Sequence, residues 1–357
     1  MNIDDRKKLV KKLSGAKVEK KVTVLPDFFL DNIAEFSGDS FELTKKINEV
    51  VSRGGGNIPY VPQTFNIGGN AAIFAQTLSL LKCKSHLIVR TSPFGFNCLN
   101  YFLKDTLVDI NHVKQDSKLS TSLILEVKKD DNKANIMIGD AGGLTDFDYD
   151  KLSLEDLDLI RSSDYTCVFN WAQNSNGTSL TSHVFNTAKE GPGKTYLDTS
   201  DPSWKINELP SLLKQTSDKG NLDFFSLNEN EIKQVCKVLK VKEHNSYIKM
   251  AEKLSKLIDG EILVHTPQLT ICGKDGEIFV EPTFNLKPVR VTGAGDSWNA
   301  GYIFGHACGL NINERLVFAN SAAGSHVLNQ YPMERSLTDI LNMLIQHKQR
   351  TQFKPYG

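Results

Sequence analysis

The chain has 357 residues, of which 40% are hydrophobic and 24% charged, ordinary values for one large globular α/β domain or two medium ones. Its 42 Lys plus Arg residues balance 42 Asp plus Glu residues, so it lacks the basic excess from which nucleic-acid binders gain most of their affinity. It has no apolar run of 18 residues, no apolar signal core after the charged start and no zinc-like histidine spacing, so we expect a cytoplasmic protein that binds neither membrane nor nucleic acid.

The cysteines and the two ends of the chain carry weaker signals. Six scattered cysteines without a Cys-x-x-Cys pair are typical of reduced, buried thiols and not of a disulfide framework. The lysine-rich first 21 residues could form a basic arm, but Asp4, Asp5 and Glu19 interrupt the lysines, which favours the charged start of a helix. The polar residues after Gln346 predict a weakly ordered end.

Short apolar runs alternate with helical patterns along most of the chain, which predicts a parallel sheet with covering helices. The predicted strands are residues 21–25, 86–90, 165–169, 195–198, 223–227 and 261–266. A helix is predicted to begin after Gly68 and Gly69, because apolar residues up to Leu81 recur at helical spacing. Further helices are predicted over residues 94–103 and 297–310.

One segment departs from this alternation. Residues 121–127 and 134–138 flank a turn-rich stretch and predict a β-hairpin, of the kind that belongs to a small separate sheet. Residues 32–66 lack a clean helix–strand alternation, and we expect them to join the hairpin in a lid. The predicted domains are an α/β domain of residues 1–31, 67–112 and 140–357 and a β lid of residues 32–66 and 113–139.

The strongest chemical signal is Val291-Thr292-Gly293-Ala294-Gly295-Asp296, which leads into the helical pattern of residues 297–310. A loop of very small residues that enters a helix leaves several backbone N–H groups unpaired, and these donors suit an anionic phosphoryl group. A carboxylate at the helix start can accept a proton from an attacking hydroxyl. The four residues Gly-Ala-Gly-Asp alone also fit a tight turn with an N-cap aspartate.

Three motifs together resemble the ribokinase-like (PfkB) carbohydrate kinases. Residues 291–310 resemble the C-terminal signature of that family, and Gly68-Gly69-Asn70-Ala71-Ala72 with its helix resembles the first signature. Between them, Asn228-Glu229-Asn230-Glu231 resembles the Asn-x-x-Glu motif, and the resemblance covers roughly residues 22 to 330. It implies a three-layer α/β/α fold with a mostly parallel central sheet, a small β-sheet lid that includes the hairpin, and a kinase.

The resemblance implies a transfer of the terminal phosphoryl group of ATP, with ADP as the alternative donor, to a hydroxyl of a sugar, sugar phosphate or nucleoside. Asp296 matches the general base of the family. Gly293, Ala294 and Gly295 match the anion hole that stabilises charge on the transferring group. The rival interpretation is a catalytically silent relative that binds a metabolite or a partner protein.

On the donor side, Asn228 and Glu231 match residues that organise Mg²⁺, which keeps much of its hydration and is therefore expected to bind through water. Asn228 also matches a nucleotide contact, and Asn320 matches a position that lines the adenine pocket. Without the resemblance, Glu231 is equally a first-turn helix charge and Asn228 an N-cap.

On the acceptor side, Asp31 matches the acidic residue that holds acceptor hydroxyls. The matching substrate loop consists of Gly68, Gly69 and Asn70. The hairpin matches the lid, through which a homodimer is expected. If Asp31 is instead a solvated strand-end residue, Asp27 and Asn170 are the alternative positions for the acceptor site.

Three departures from the family pattern stand beside these matches. Ile73 occupies a position where relatives usually carry an asparagine that contacts the acceptor. Residues 265–269 replace a glycine-containing nucleotide loop, and Thr266 is the nucleotide contact that we expect there. Arg290 stands where many relatives have an aspartate near a monovalent-cation site, so its guanidinium could replace or exclude K⁺.

Two other nucleotide-binding patterns are excluded by their context. Residues 188–195 fit a relaxed P-loop pattern, but they follow a helical stretch and precede a strand, whereas a P-loop links a strand to a helix. No Gly-x-Gly-x-x-Gly follows the first strand, so a dinucleotide-binding oxidoreductase has little support.

Overall fold

The computed structural model describes residues 1–129, 132–242, 245–329 and 334–351. The strands are β1 (Val22–Leu25), β2 (Phe29–Asp39), β3 (Gln63–Gly68), β4 (Ser85–Leu87), β5 (Val108–Asp109), β6 (Ser120–Lys129), β7 (Asn132–Asp140), β8 (Tyr165–Val168), β9 (Lys194–Asp198), β10 (Phe224–Leu227), β11 (Glu261–His265), β12 (Leu269–Lys274) and β13 (Glu277–Pro282). The α-helices are α1 (Ile3–Ser14), α2 (Ser40–Ser52), α3 (Asn70–Leu80), α4 (Pro93–Leu103), α5 (Leu154–Ser162), α6 (Gly177–Lys189), α7 (Leu209–Thr216), α8 (Glu229–Val238), α9 (Tyr247–Leu254), α10 (Ala294–Ala307), α11 (Ile312–Val327) and α12 (Leu337–Gln346).

Nine strands form the central sheet, in the order β13-β12-β11-β10-β9-β8-β1-β4-β5. All pairings from β11 to β5 are parallel, and only β12 and β13 are antiparallel, so the predicted mostly parallel sheet is confirmed. The inner strands are apolar and buried on both faces, as expected where helices cover both sides of a sheet. Their carboxyl ends meet at one edge, where ligands bind in open α/β sheets.

The helices form one layer on each face of this sheet. One hydrophobic cluster joins the sheet to α1, α3, α10, α11 and α12, and includes Phe74, Trp298 and Phe318. The second cluster joins the opposite face to α5 through α9, and includes Leu180 and Met250. The arrangement is the predicted three-layer α/β/α sandwich.

A separate four-stranded sheet has the order β3-β2-β6-β7. The predicted hairpin is present as β6 and β7, and its turn at residues 130–131 lies outside the described residues. Residues 32–66 supply most of β2, all of α2 and part of β3. We call this sheet together with α2 the lid. The sheet begins at Phe29, three residues before the predicted start of the lid at residue 32, and its division from the α/β domain stays a prediction.

Both ends of the described chain pack on the α/β domain. The lysine-rich start is helix α1, whose Leu9 and Leu13 are buried, so it is not a free basic arm. The expectation of a weakly ordered end is wrong for residues 347–351, because Arg6 donates to the His347 carbonyl at 2.9 Å and Gln349 donates to the Pro282 carbonyl at 2.9 Å. Residues 352–357 lie outside the described ones. Within the described ranges, no helix is both long and apolar enough to cross a membrane.

Candidate active site

The small-residue loop leads directly into helix α10. Gly293 is the N-cap of this helix and has a φ of +83°, a conformation that side chains disfavour, and an added Cβ would lie 3.0 Å from His326 Cε1. Asp296 is the third residue of the helix, within its first turn, so the alternative of an N-cap aspartate is wrong. The backbone N–H groups of Ala294 and Gly295 are also in this turn, where no helix carbonyl can pair with them. The Ala294 N–H donates instead to the Val291 carbonyl at 3.1 Å.

Asp296 is almost fully buried, at 6% exposure, and faces the substrate loop. Its Oδ1 accepts a hydrogen bond of 2.8 Å from the Asn70 side-chain amide. Burial raises the pKa of Asp296 well above its usual range, and the nearby charge of Asp198 adds to the increase. A carboxylate in this environment binds a proton more readily than an exposed one, which suits the removal of a proton from a hydroxyl.

Asp27 organises the substrate loop. Its carboxylate accepts hydrogen bonds of 2.9 Å from the backbone N–H groups of Asn70 and Ala71, at the start of α3, and one of 3.0 Å from the Asn170 side chain. Asp27 is fully buried, and burial raises its pKa. Asp27 therefore contacts both Asn170 and the loop, and much of its hydrogen-bonding capacity is used by the protein itself. The side-chain oxygen of Asn170, in contrast, is buried without a hydrogen-bond partner.

Asp31 lies inside strand β2 and not in a loop after the first strand, because the lid sheet begins at Phe29. It pairs with Asn66 of β3 and Ser122 of β6, and it is buried. Burial raises the pKa of Asp31 to about 6, and a hydrogen bond from Ser122 partly opposes this. An added Cβ on Gly68 would overlap the Asp31 carboxylate, so only glycine leaves that carboxylate in place.

A cavity of about 390 Å³ opens on the other side of Asp296. It reaches the predicted nucleotide and anion-hole residues Asn228, Thr266, Asn320, Ala294 and Gly295. Apolar side chains form much of its wall, namely Phe284, Leu286, Val291 and Val327. One end is thus polar and rich in N–H donors, and the rest is apolar, a combination that suits a nucleotide whose phosphates lie at the start of α10.

Asn228 and Glu231 bind each other in a capping box at the start of α8. The Asn228 side chain accepts from the Glu231 N–H, and Glu231 Oε2 accepts from the Asn228 N–H at 2.8 Å. Glu231 is buried, and burial followed by the charge of Asp198 raises its pKa. The helix-cap interpretation is therefore correct for the geometry of both residues, and it leaves a buried carboxylate beside the cavity.

The sequence interpretation missed Asp198, which ends strand β9. Burial raises its pKa to about 6, its Oδ2 accepts from Asn299 at 2.8 Å, and its charge affects both Glu231 and Asp296. An acidic residue at the carboxyl end of a predicted parallel strand was the available signal. Among the described residues, no group of three His, Cys, Asp or Glu side chains is arranged to hold a metal ion directly.

His326 and Arg335 support the small-residue loop from behind and were also missed, since only the fold brings them there. His326 Nε2 donates to the Thr292 carbonyl at 2.7 Å, and its Nδ1 lies 2.8 Å from the Ser297 hydroxyl. Burial lowers the pKa of His326 to about 3, so the ring is neutral. Arg335 donates to the Ala322 carbonyl at 3.0 Å and reaches Ser297 and His326 at 3.5 Å.

The three departures in the sequence also lie around this site. Ile73 Cδ1 and the backbone of Gly293 approach each other closely. The His265 ring faces Gly295 and lies 5.3 Å from the Trp298 ring, and burial lowers its pKa to about 4. Arg290 is electrostatically closest to Asp31 and Glu126, on the lid side, and its effect on K⁺ stays a prediction.

Comparison with known proteins identifies the family to which this chain belongs. Residues 53–338 match the pfkB family carbohydrate kinase profile. Over 148 residues, 41% of this chain, the sequence is 28% identical to the bifunctional protein HldE of Aliarcobacter butzleri (strain RM4018). The match spans only 28% of the length of HldE.

Solved structures share the fold at low sequence identity. Adenosine kinase from Sinorhizobium meliloti has a TM-score of 0.72 at 16% identity, over 92% of this chain and 99% of that one. Arabidopsis thaliana ribokinase complexed with ribose and ATP has a TM-score of 0.71 at 17% identity, over 91% and 98%. A putative ribokinase II from E. coli in complex with ATP and Mg²⁺ has a TM-score of 0.70 at 16% identity, over 92% and 99%. The fold is therefore ribokinase-like, and the chain belongs to the PfkB family of carbohydrate kinases, which are phosphotransferases.

Proposed function

We propose that the protein transfers the terminal phosphoryl group of ATP to a hydroxyl of a sugar, sugar phosphate or nucleoside, with Asp296 as general base. The observation that carries this proposal is the position of Asp296. Its carboxylate accepts a hydrogen bond from Asn70 of the proposed acceptor loop, and it directly follows Gly295, which lines the cavity. An acceptor hydroxyl beside Asp296 faces the end of a nucleotide bound in that cavity. The solved relatives that contain ribose and ATP, or ATP and Mg²⁺, support the same pair of ligands.

The chain's own groups perform two tasks in this reaction. The Asp296 carboxylate takes the proton from the attacking oxygen, and its raised pKa favours that transfer. The backbone N–H of Gly295, in the first turn of α10, is available to stabilise negative charge on the phosphoryl oxygens, whereas the Ala294 N–H would first have to leave the Val291 carbonyl. ADP remains the alternative donor, because the 265–269 loop lacks the glycine usual in relatives.

The residues present fit Mg²⁺ held through water. Burial raises the pKa values of Asp198, Glu231 and Asp296, and the charge of Asp198 further raises those of Glu231 and Asp296. A divalent cation near these carboxylates would relieve that repulsion. Glu231 already accepts two hydrogen bonds from Asn228, which leaves its remaining lone pairs for the waters of a hydrated ion. Bound Mg²⁺ would neutralise charge on the nucleotide phosphates.

The test is phosphoryl transfer by Asp296→Asn, compared with wild type and with Asp4→Asn on the exposed face of α1. We expect the first variant to lose roughly 10²–10⁴-fold or more in kcat, because an amide cannot accept the proton. Its melting temperature and nucleotide affinity should stay close to those of wild type. Transfer rates within a few-fold of wild type would remove Asp296 from the mechanism.

The same assay distinguishes a kinase from the rival interpretation, a catalytically silent metabolite-binding protein. Binding of nucleotide without transfer to any member of a panel of sugars, sugar phosphates and nucleosides would favour it. We further propose a cytoplasmic protein, in accord with six free cysteines, and a homodimer formed through the outer face of the lid.

A further inference from the structure

Arg290 carries a charge that the protein leaves without a close partner. The Arg290 side chain is half-buried, and burial lowers the pKa of its guanidinium. Its Nε atom is buried without a hydrogen-bond partner, and no carboxylate of the described residues is in ion-pair contact with it. Arg335, the other buried arginine near the small-residue loop, donates instead to the Ala322 carbonyl and to Ser297.

The lid sheet fixes where this guanidinium lies. Asp31 and Ser122 are paired across β2 and β6, and Glu126 and Asn135 are paired across β6 and β7. Alternation along the strands puts these four side chains on one face. That face meets the small-residue loop, because Asn135 donates to the Thr292 hydroxyl at 3.1 Å.

Arg290 lies two residues before Thr292, and the charges that act on it are those of Asp31 and Glu126. Its backbone N–H donates to the Val327 carbonyl at 3.2 Å, which anchors it to the end of α11. Arg290 is therefore on the lid side of the loop, and the carboxylate proposed to hold the acceptor is one of the two whose charges act on its guanidinium. It is not in the nucleotide cavity, whose lining does not include it.

The chemistry of the surrounding site makes this cation distinctive. Asp27, Asp31, Asp198 and Asp296 give the acceptor region an acidic character that repels anions. Ile73, beside Gly293, offers an acceptor no polar contact. A planar guanidinium with unused N–H donors binds phosphate or carboxylate oxygens in pairs, and such charge-assisted bonds are stronger than those between neutral groups.

We propose that Arg290 binds an anionic group of the acceptor, so that the substrate is a phosphorylated or carboxylated sugar or polyol and not a neutral sugar or nucleoside. This inference rests on the proposed kinase function and narrows its substrate class. The positive Arg290 and the negative Asp296 orient the acceptor. Its anionic end lies at Arg290, and its reacting hydroxyl lies at Asp296, whose negative charge repels the anionic end. Phosphate and carboxylate share this chemistry, and the experiment separates them.

The test uses matched acceptors that differ in one group: a hexose, its monophosphate and the corresponding hexonate, each with ATP and Mg²⁺. We expect wild type to prefer an anionic acceptor over the hexose by at least about tenfold in kcat/KM. Arg290→Gln should lower that preference by roughly 10- to 100-fold and Arg290→Lys by less, because an ammonium keeps the charge without the paired donors. Whichever of the two anions retains the larger preference identifies the group.

Arg53→Gln, which changes an exposed arginine of the same lid, is the matched control and should leave the preference unchanged. Equal preference in wild type and Arg290→Gln, or a wild type that favours the neutral hexose, would overturn the inference while leaving the kinase intact. Calorimetric binding of the same three compounds covers the case in which nothing is phosphorylated. If no compound is phosphorylated, the proposed function fails. Anion binding that is lost in Arg290→Gln but kept in Arg53→Gln would still support the inference, whereas equal anion binding by wild type and Arg290→Gln would overturn it.

Discussion

At the scale of single residues, the proposed acceptor contact Asp31 can keep its position only because Gly68, which lies against its carboxylate, has no side chain. We expect Asp31→Ala to raise the acceptor KM by about tenfold or more, because each hydrogen bond to a charged group contributes roughly 1.5–3 kcal/mol. Gly68→Ala should raise the same KM, since its methyl group would displace the Asp31 carboxylate. Steady-state kinetics with varied acceptor and saturating nucleotide measure both effects.

Gly139→Ala is the control for this pair of variants. Gly139 lies on β7 opposite Ser122, and an added Cβ there would be at an ordinary 3.9 Å from the nearest atom. It should leave the acceptor KM unchanged. If Gly68→Ala behaves like Gly139→Ala, Asp31 is a structural residue of the lid, and Asp27 and Asn170 become the acceptor contacts.

Glu231 can be tested without damage to its helix. Glutamine keeps the capping box with Asn228 but removes the charge, so Glu231→Gln should raise the Mg²⁺ concentration for half-maximal activity and lower kcat. Asn311 and Glu314 form the same capping box at the start of α11, which makes Glu314→Gln a close control. Identical Mg²⁺ titrations for the two variants would restrict Glu231 to its capping role.

At the scale of elements, one hydrogen bond joins the lid to the small-residue loop. Asn135 of β7 donates to Thr292, and a lid held down in this way excludes water from the reacting phosphoryl group. We expect Asn135→Ala to raise the ratio of nucleotide hydrolysis to acceptor phosphorylation by several-fold. Coupled assays of ADP release and of phosphorylated product give the ratio.

Asn32→Ala provides the comparison for this contact, because its side chain lies on the opposite face of the sheet and bonds Gln63 at 2.9 Å. An Asn135→Ala variant with the wild-type ratio would mean that this hydrogen bond does not control access of water.

The same elements show what a sequence can and cannot predict. The strands near 165–169 and 223–227 and the helix after Gly69 were predicted because apolar spacing and glycines are local signals. The lid was predicted only as a hairpin with an irregular partner, since β2 pairs in parallel with β6, some 90 residues away. Helix α2 was not predicted, although Leu43, Ile47 and Val50 recur at helical spacing, and none of its residues is buried.

The candidate site shows the same difference between residues with local sequence signals and residues that only long-range contacts bring together. Asp296 and the capping box of α8 follow from short motifs, whereas His326 reaches the loop across 34 residues of sequence and Asn135 across 157. Asp31 was predicted as an acceptor contact, but the strand β2 that contains it was not predicted, because only three residues separate β1 from β2. Long-range contacts such as these have no local spacing that a single sequence reveals.

At the scale of the whole molecule, the outer face of the lid is the part that a partner would cover. Phe65 of β3 and Ile138 of β7 lie in one cross-strand row and are 57% and 58% exposed, with Asn32 of β2 and the half-buried Leu123 of β6 between them. Exposed large apolar side chains on one face of a sheet mark interfaces. We expect a homodimer in sedimentation velocity, and a shift to monomer in the double variant Phe65→Lys, Ile138→Lys.

The control for this pair is Leu154→Lys, at an 81% exposed position on the start of α5. Its sedimentation should match that of wild type. A wild-type protein that sediments as a monomer at all concentrations, or a lysine double variant that still dimerises, would place any interface elsewhere.

The hydrogen bond between Asn70 and Asp296 has a consequence for the order in which the site is completed during synthesis of the chain. Its two residues are 226 positions apart, and the Thr77 and Ser297 hydroxyls, which lie next to them in the fold, are 220 apart. On the ribosome Asn70 therefore emerges 226 residues before Asp296. A nascent or truncated chain that ends before α10 lacks the proposed general base and the start of α10, so we expect it to transfer no phosphoryl group. The contact between α3 and α10 can complete the proposed site only after α10 has been synthesised.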